Sequence, residues 1–326
     1  MKAWRTTPET NPGGVALLEV AEPTPAEGEI LVRVKAASLN QGDFLQRNGR
    51  PDPRFPSGVG LTLGVECAGV VERVGAGVDA WREGDAVMGR CSGGLAQLTT
   101  MKAGMAMPKP DGLPWAAAAT MHVLVVAHDA LFTRAQLAPD EWLLVNAASS
   151  GIGIASLQLG KHLARAKVIA TTTSAAKSAR LRDIGADVVL GADDPDWPDQ
   201  LRTATGGKGV DVIADSVGAS AFAGNMKSLG IEGRLVSIGR LGGAAAELNL
   251  DLLALHRIRL IGVTNRTRTL AEQEGLVAAF RREVLPWLAD GTLVPIVDRT
   301  FDFPDAESGW TMLGRRDQVG KLVVVL

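Results

Sequence analysis

Residues Trp142–Lys161, WLLVNAASSGIGIASLQLGK, hold the densest chemical information in the chain. An apolar run suited to a buried strand enters a turn of small residues, Ala147–Gly153, and leaves it with helical spacing. A dinucleotide pyrophosphate needs these parts in this order. Small residues let the backbone approach the phosphates, and a helix N-terminus supplies free N–H donors and the positive end of its dipole. The candidate contacts are Ser149, Ser150, Gly151, Ile152 and Gly153. Alanine and serine stand where a strict G-x-G-x-x-G pattern has its early glycines. The succession of strand, turn and helix therefore carries the reading; an ordinary packed strand-turn-helix is the alternative.

The next apolar run, Lys167–Thr171, ends in TTTSAAKSAR. An NAD site ordinarily places a carboxylate here to accept from the ribose 2′-hydroxyl. No acidic residue lies between Thr171 and Arg182; Ser174, Lys177 and Arg180 stand there instead. A hydroxyl and two cations suit a 2′-phosphate, so the expected cofactor is NADPH. Lys177 and Arg180 would also serve as a solvated helix face.

The elements that position these residues fall into two textures. Residues 1 to about 110 carry short β-like runs, Ile30–Ala36, Gly69–Val74 and Asp85–Met88, separated by Gly and Pro turns. From Trp115 the period changes, and a helix is expected over Ala116–Phe132. Strands are then expected at Trp142–Asn146, Lys167–Thr171, Val188–Leu190, Val210–Ala214, Arg234–Ile238 and Arg259–Val263. They alternate with helices over Ile152–Leu163, Ala175–Ile184 and Pro198–Thr205. That alternation predicts an α/β fold with a Rossmann-type, doubly wound parallel sheet. A long helix is expected over Leu270–Leu288, then strands at Leu293–Val297 and Lys321–Leu326 that fold back on the first domain. The expected division is a mainly-β domain of residues 1–115 and 290–326, made discontinuous by a dinucleotide-binding domain of residues 116–289.

A formal net charge of −2 suggests neither nucleic acid nor a membrane surface as partner. No apolar run reaches the roughly 20 residues of a membrane-spanning helix, and the first residues lack a signal-peptide core. The two cysteines, Cys67 and Cys91, suggest a reducing compartment, hence the cytoplasm. The chain has no tyrosine, which excludes a tyrosine acid from any mechanism.

The chain resembles the medium-chain dehydrogenases/reductases, in the zinc-free quinone oxidoreductase (ζ-crystallin-like) branch. The segments that carry the resemblance include Ser38–Gly49 (SLNQGDFLQRNG), Gly64–Gly77 (GVECAGVVERVGAG), Asn146–Lys161, Gly209–Gly218 (GVDVIADSVG), Gly233–Gly239 (GRLVSIG), Gly262–Arg268 (GVTNRTR) and Gly320–Val325 (GKLVVV). The resemblance implies a GroES-like catalytic domain, a Rossmann domain, a cleft between them and a homodimer joined through Arg259–Val263. It also implies which residues meet the cofactor. Ser216 and Val217 fall near the adenosine side. Ile238, Gly239 and Arg240 lie at a strand's carboxyl edge. Asn265, Arg266, Arg268 and Arg316 reach toward the nicotinamide half or the pyrophosphate.

Zinc-dependent relatives hold their metal with thiolate, imidazole and carboxylate. The position of the usual first cysteine reads Asn40, and the usual G-H-E reads Gly64-Val65-Glu66, so no metal is expected. His122, His128, His162 and His256 fall on expected helices, and the first two read as packed or surface residues. By resemblance Asn40 and Asp43 lie beside the nicotinamide as the catalytic pair, Asn40 as amide donor and Asp43 as orienting group. Leu45 and Val125 replace a tyrosine and a threonine common in relatives. The expected function is zinc-independent, NADPH-dependent hydride transfer to a quinone. One alternative is reduction of the C=C of an α,β-unsaturated carbonyl or acyl thioester, for which Arg47, Arg50 and Arg54 would supply a basic approach. The other is a non-catalytic NADPH-binding protein.

Overall fold

The computed structural model describes residues 1–7, 14–43 and 60–326. Leu45, Arg47, Arg50 and Arg54 lie outside the described residues. The chain divides into two compact units, Met1–His122 with Arg268–Leu326, and Val123–Thr267.

In the first unit β1 (Lys2–Thr7) and β2 (Gly14–Glu19) form an antiparallel pair. The main sheet is built on β3 (Glu29–Ser38), β4 (Glu66–Val74), β5 (Ala86–Arg90), β6 (Leu98–Lys102) and β7 (Ala106–Pro108). The second unit contributes β8 (Trp142–Val145), β9 (Lys167–Thr172), β10 (Val188–Gly191), β11 (Val210–Asp215), β12 (Leu229–Ser237) and β13 (Arg259–Gly262). The chain then returns to the first unit with β14 (Val297–Asp302) and β15 (Lys321–Val325).

The first unit's sheet runs β14-β15-β3-β4-β5-β7, with β6 also on β3. Its pairs are antiparallel except β14 with β15. β3 uses its first half, Glu29–Arg33, to pair with β6 and its end, Ala36–Ser38, to pair with β15. The C-terminal strand is thereby set against the segment Ser38–Asp43. Trp4 helps hold this return: its indole Nε1–H donates to the Phe303 carbonyl at 2.8 Å, and its ring meets Trp310 edge-on at 5.4 Å.

The second unit's sheet is wholly parallel, in the order β10-β9-β8-β11-β12-β13. Strand order reverses between β8 and β11, the place where open α/β sheets bind ligands outside their carboxyl ends. The inner strands are buried almost throughout, as strands covered on both faces must be. Leu144, Ile169, Leu201, Val210, Ile213 and Leu235 anchor one core, closed by Trp197.

Several elements differ from expectation for visible reasons. The helix expected over Ala116–Phe132 breaks into Trp115–Ala118 and Met121–His128, followed by a π-type turn over Asp129–Arg134. At the break the Thr120 hydroxyl donates to the Ala117 carbonyl at 2.8 Å, competing with the helical ladder. The expected Leu270–Leu288 helix ends at Glu283, and a second starts at Leu285 with Pro286 in its first turn. The strand expected at Leu293–Val297 begins only at Val297, since Pro295 has no N–H to give a ladder.

Candidate functional site

In the second unit the helix Gly151–Ala164 starts from Ser150, whose Oγ accepts from the Gly153 amide at 3.1 Å. Ala147 turns the chain with a φ of 50°, and the Ala148 amide ties the turn to β9 through the Thr171 carbonyl at 3.0 Å. Gly153 sits hard against this turn. A Cβ there would come within 2.5 Å of the Ala147 carbonyl oxygen and 2.7 Å of the Ala148 Cα, both backbone atoms. The structure thus brings Ser149, Ser150, Gly151, Ile152 and Gly153 together at the carboxyl end of β8. The cradle fits a pyrophosphate: its backbone is open to close approach, and its helix leads with the Gly151 and Ile152 amides, which have no partner within the helix.

Lys177 reaches back to that turn, its Nζ 3.5 Å from the Ser149 hydroxyl, while Ser174 is half-buried just after β9. Ser216 and Val217 follow β11, and Ile238, Gly239 and Arg240 follow β12, all at the same edge of the sheet. The two loops are laced by backbone: Ile238 and Gly239 donate to the Asp215 carbonyl, and Gly242 donates to the Val217 carbonyl. Gly218 carries a φ of +81°, and a Cβ there would meet the Gly243 carbonyl at 2.6 Å. Asn265 is half-buried and Arg266 exposed on the segment after β13. Arg268 and Arg316 belong to the first unit; Arg316 is exposed at the left-handed end of the helix Ala306–Arg315.

Beneath the turn is a buried polar set that the sequence did not single out. Asn146 donates to Asn225 Oδ1 at 2.7 Å and accepts from Thr171 Oγ1 at 3.0 Å. Asp215 accepts from the Val217 and Gly218 amides at 2.9 and 3.1 Å. Burial pushes the Asp215 carboxyl up, against the pull of those amides and of Asn146 and Asn225. One visible signal was an aspartate closing an apolar strand directly before Ser-Val-Gly.

The first unit holds a second polar centre. Asn40 is half-buried, and Asp43 is fully buried with its two oxygens taken by the Asn40 and Gly64 amides at 3.0 and 3.1 Å. Burial is the main reason its carboxyl is pushed up to about 6. Next to them stands Glu66, also fully buried, which receives the Ser38 hydroxyl, Asn40 Nδ2 at 3.1 Å, Lys321 Nζ at 3.0 Å and the His122 amide at 2.7 Å. Burial alone would raise the Glu66 carboxyl; Lys321, then His122 and Ser38, hold it below its ordinary value. Lys321 also donates to Asn40 Oδ1 at 2.7 Å and the Leu39 carbonyl at 3.2 Å. An ammonium only donates and a carboxylate only accepts, so this pair fixes which way the Asn40 amide faces. Register explains the meeting: Val323 pairs with Ser38, which sets Lys321 opposite Asn40. Glu66 and Lys321 were missed by sequence reasoning, although each is a lone charge in an apolar run.

Known proteins agree with this architecture. The family described as alcohol dehydrogenase GroES-like domain matches residues 26–121, and that described as zinc-binding dehydrogenase matches residues 151–281. Quinone oxidoreductase of Salmonella typhimurium is 36% identical over 249 residues, 74% of each chain. Acryloyl-coenzyme A reductase of Metallosphaera sedula is 28% identical over 341 residues, 95% of this chain and 96% of the relative. A mycobacterial protein solved as a complex with NADPH superposes with a TM-score of 0.88 at 28% identity, covering 100% of both chains. Fold and site define a nicotinamide-dependent oxidoreductase. The chain belongs to the medium-chain dehydrogenase/reductase family, to which quinone oxidoreductases belong.

Zinc, which one of those descriptions implies, does not fit the residues present. Among the described residues no group of three or more His, Cys, Asp or Glu could hold a metal ion. Glu66, the carboxylate of the Gly64-Val65-Glu66 segment, already carries the Lys321 ammonium.

Proposed function

We propose that the protein is a zinc-independent reductase that uses NADPH to transfer hydride to a quinone, with Asn40 and Asp43 in its catalytic site. The observation that carries the cofactor choice is Lys177 beside Ser149, with no carboxylate from Thr171 to Arg182 to receive a ribose hydroxyl. NADPH supplies the hydride when bound. Ser149–Gly153 would hold its pyrophosphate and Ser174 with Lys177 its 2′-phosphate. Ser216, Val217, Ile238, Gly239, Arg240, Asn265, Arg266, Arg268 and Arg316 complete the proposed set.

With no fitting metal ligands, the acceptor must be electrophilic without a Lewis acid, which favours a quinone or an enone over a simple ketone. Asn40 would present its fixed amide, and Asp43, wholly engaged with backbone amides, would hold Asn40 in place. The relative that reduces acryloyl-coenzyme A favours a second reading, reduction of a C=C conjugated to a carbonyl or thioester. The exposed edge strand β13, with Leu260 42% exposed, supports a homodimer. Two free, buried cysteines suit the cytoplasm.

NADPH oxidation with 1,4-benzoquinone, 9,10-phenanthrenequinone and a small enone tests the reading. Higher kcat/KM for a quinone supports it, and higher kcat/KM for the enone favours the alternative. Tight NADPH binding without turnover on any of the three would mean a non-catalytic protein.

A further inference from the structure

Two half-buried residues are held on opposite oxygens of the Glu66 carboxylate, Asn40 by its side-chain amide and His122 by its backbone N–H. Oε1 receives Asn40 Nδ2 at 3.1 Å and Lys321 at 3.0 Å, while Oε2 receives the backbone N–H of His122 at 2.7 Å. Glu66 therefore fixes the backbone from which the His122 side chain springs, as it fixes the Asn40 amide. The imidazole is only half-buried and has no hydrogen-bond partner among the described residues. Burial pushes its pKa down to about 4; the Glu66 charge opposes this, while Arg90 and Lys321 reinforce it. At neutral pH the ring is thus uncharged, with one N–H to give. The sequence reads His122 as a packed or surface residue; a packed histidine spends its polar atoms locally, and this half-buried ring does not.

We propose that His122 is a catalytic residue, donating its ring N–H to the acceptor's carbonyl oxygen as charge develops there. This rests on the reductase reading above. On an enone, hydride forms a C–H bond at the β-carbon, the C=C pair shifts and the carbonyl pair moves onto oxygen, giving an enolate. A quinone likewise becomes the hydroquinone monoanion. A proton from water then completes the saturated carbonyl or the hydroquinone, and NADP⁺ is left. His122 gives a hydrogen bond and keeps its proton, so no further reactant is needed. A fixed neutral donor at a developing oxyanion stabilises the transition state more than the ground state.

The test compares His122→Phe, which removes the donor, with His122→Gln, which retains an N–H. Loss of one such donor typically lowers kcat by about 10²–10³-fold. His122→Phe should therefore lose about 10²-fold in kcat/KM for whichever acceptor the wild type turns over. NADPH affinity should not move, and His122→Gln should recover most of the rate. Equal loss in both variants, or none in either, overturns the assignment. Independently of folding of the variants, the ring ¹⁵N resonances of His122 in the wild type should shift when a quinone is added with NADP⁺, with the other three histidines as internal controls. No shift at His122 overturns it as well. Failure of the wild type to turn over any acceptor would instead remove the reductase reading, so the two failures are distinguishable.

Discussion

Lys321→Met removes one ammonium from the polar centre and leaves its methylene bulk. Lys321 and Glu66 side chains are 8% and 0% exposed, and Lys321 donates to Glu66, Asn40 and the Leu39 carbonyl. Stripping one partner from a buried ion pair costs about 3–5 kcal/mol, because the other charge stays buried without compensation. The lower end applies here, since Ser38, Asn40 and the His122 amide would still donate to Glu66. At about 2–4 °C per kcal/mol for a unit of this size, Tm should fall by on the order of 10 °C. The pH dependence identifies the cause. In the wild type Glu66 is held below its ordinary 4.5, so its contribution is present above that pH and is lost as pH falls through the lower folded value. Without Lys321, burial dominates and the folded pKa rises above the unfolded one. The contribution is then present at low pH and lost as pH rises through the raised value, so the variant's deficit widens from pH 5 to pH 8. Replacing the charge as well, in Glu66→Gln/Lys321→Met, should recover most of the loss. Urea unfolding followed by circular dichroism at several pH values measures all three proteins. A Lys321→Met deficit that is negligible, or that narrows as pH rises, would refute the reasoning.

Lys177→Ala should weaken NADPH by about 10–100-fold, the worth of a hydrogen bond to a charged group, with little effect on NADH. Equal loss of both cofactors in a fluorescence titration would remove Lys177 from the 2′-phosphate. Gly153→Ala should cost about 1–3 kcal/mol from overpacking against the Ala147–Ala148 backbone and weaken cofactor binding; unchanged Tm and NADPH affinity would contradict the close approach. The Asp43 pKa is raised from 3.8 to about 6, so its contribution is present below pH 3.8 and lost as pH rises through 6. Stability of the wild type relative to Asp43→Asn should therefore decline by up to about 3 kcal/mol across that window and level off above it; a difference flat with pH would be the contrary result. Excess chelator should leave activity intact, and activity lost and then restored by added zinc would contradict the account of Glu66 and Lys321.

The second unit was largely legible from its sequence because its signals are local. A strand buried on both faces must be apolar along its length, and a helix packed on it repeats about every 3.6 residues, so Trp142–Asn146 and Ile152–Leu163 announced themselves. In the first unit boundaries slipped where one side chain or one proline outweighed the period, at Thr120, Pro286 and Pro295. β12 also begins earlier than expected, at Leu229, because it gains a partner in Val210 across an irregular register.

By itself the sequence determined the chemical alphabet of the cofactor turn: small residues before a helix, no carboxylate after the second strand, and no cysteine or histidine at Asn40 and Val65. Tertiary structure alone decided that Lys321, Glu66, Asn40 and His122 form one centre. Lys321 lies 281 residues from Asn40, and they meet only because β15 pairs in register with the end of β3. A lone charge in an apolar strand shows that a partner is needed for burial, but sheet register determines which partner it finds.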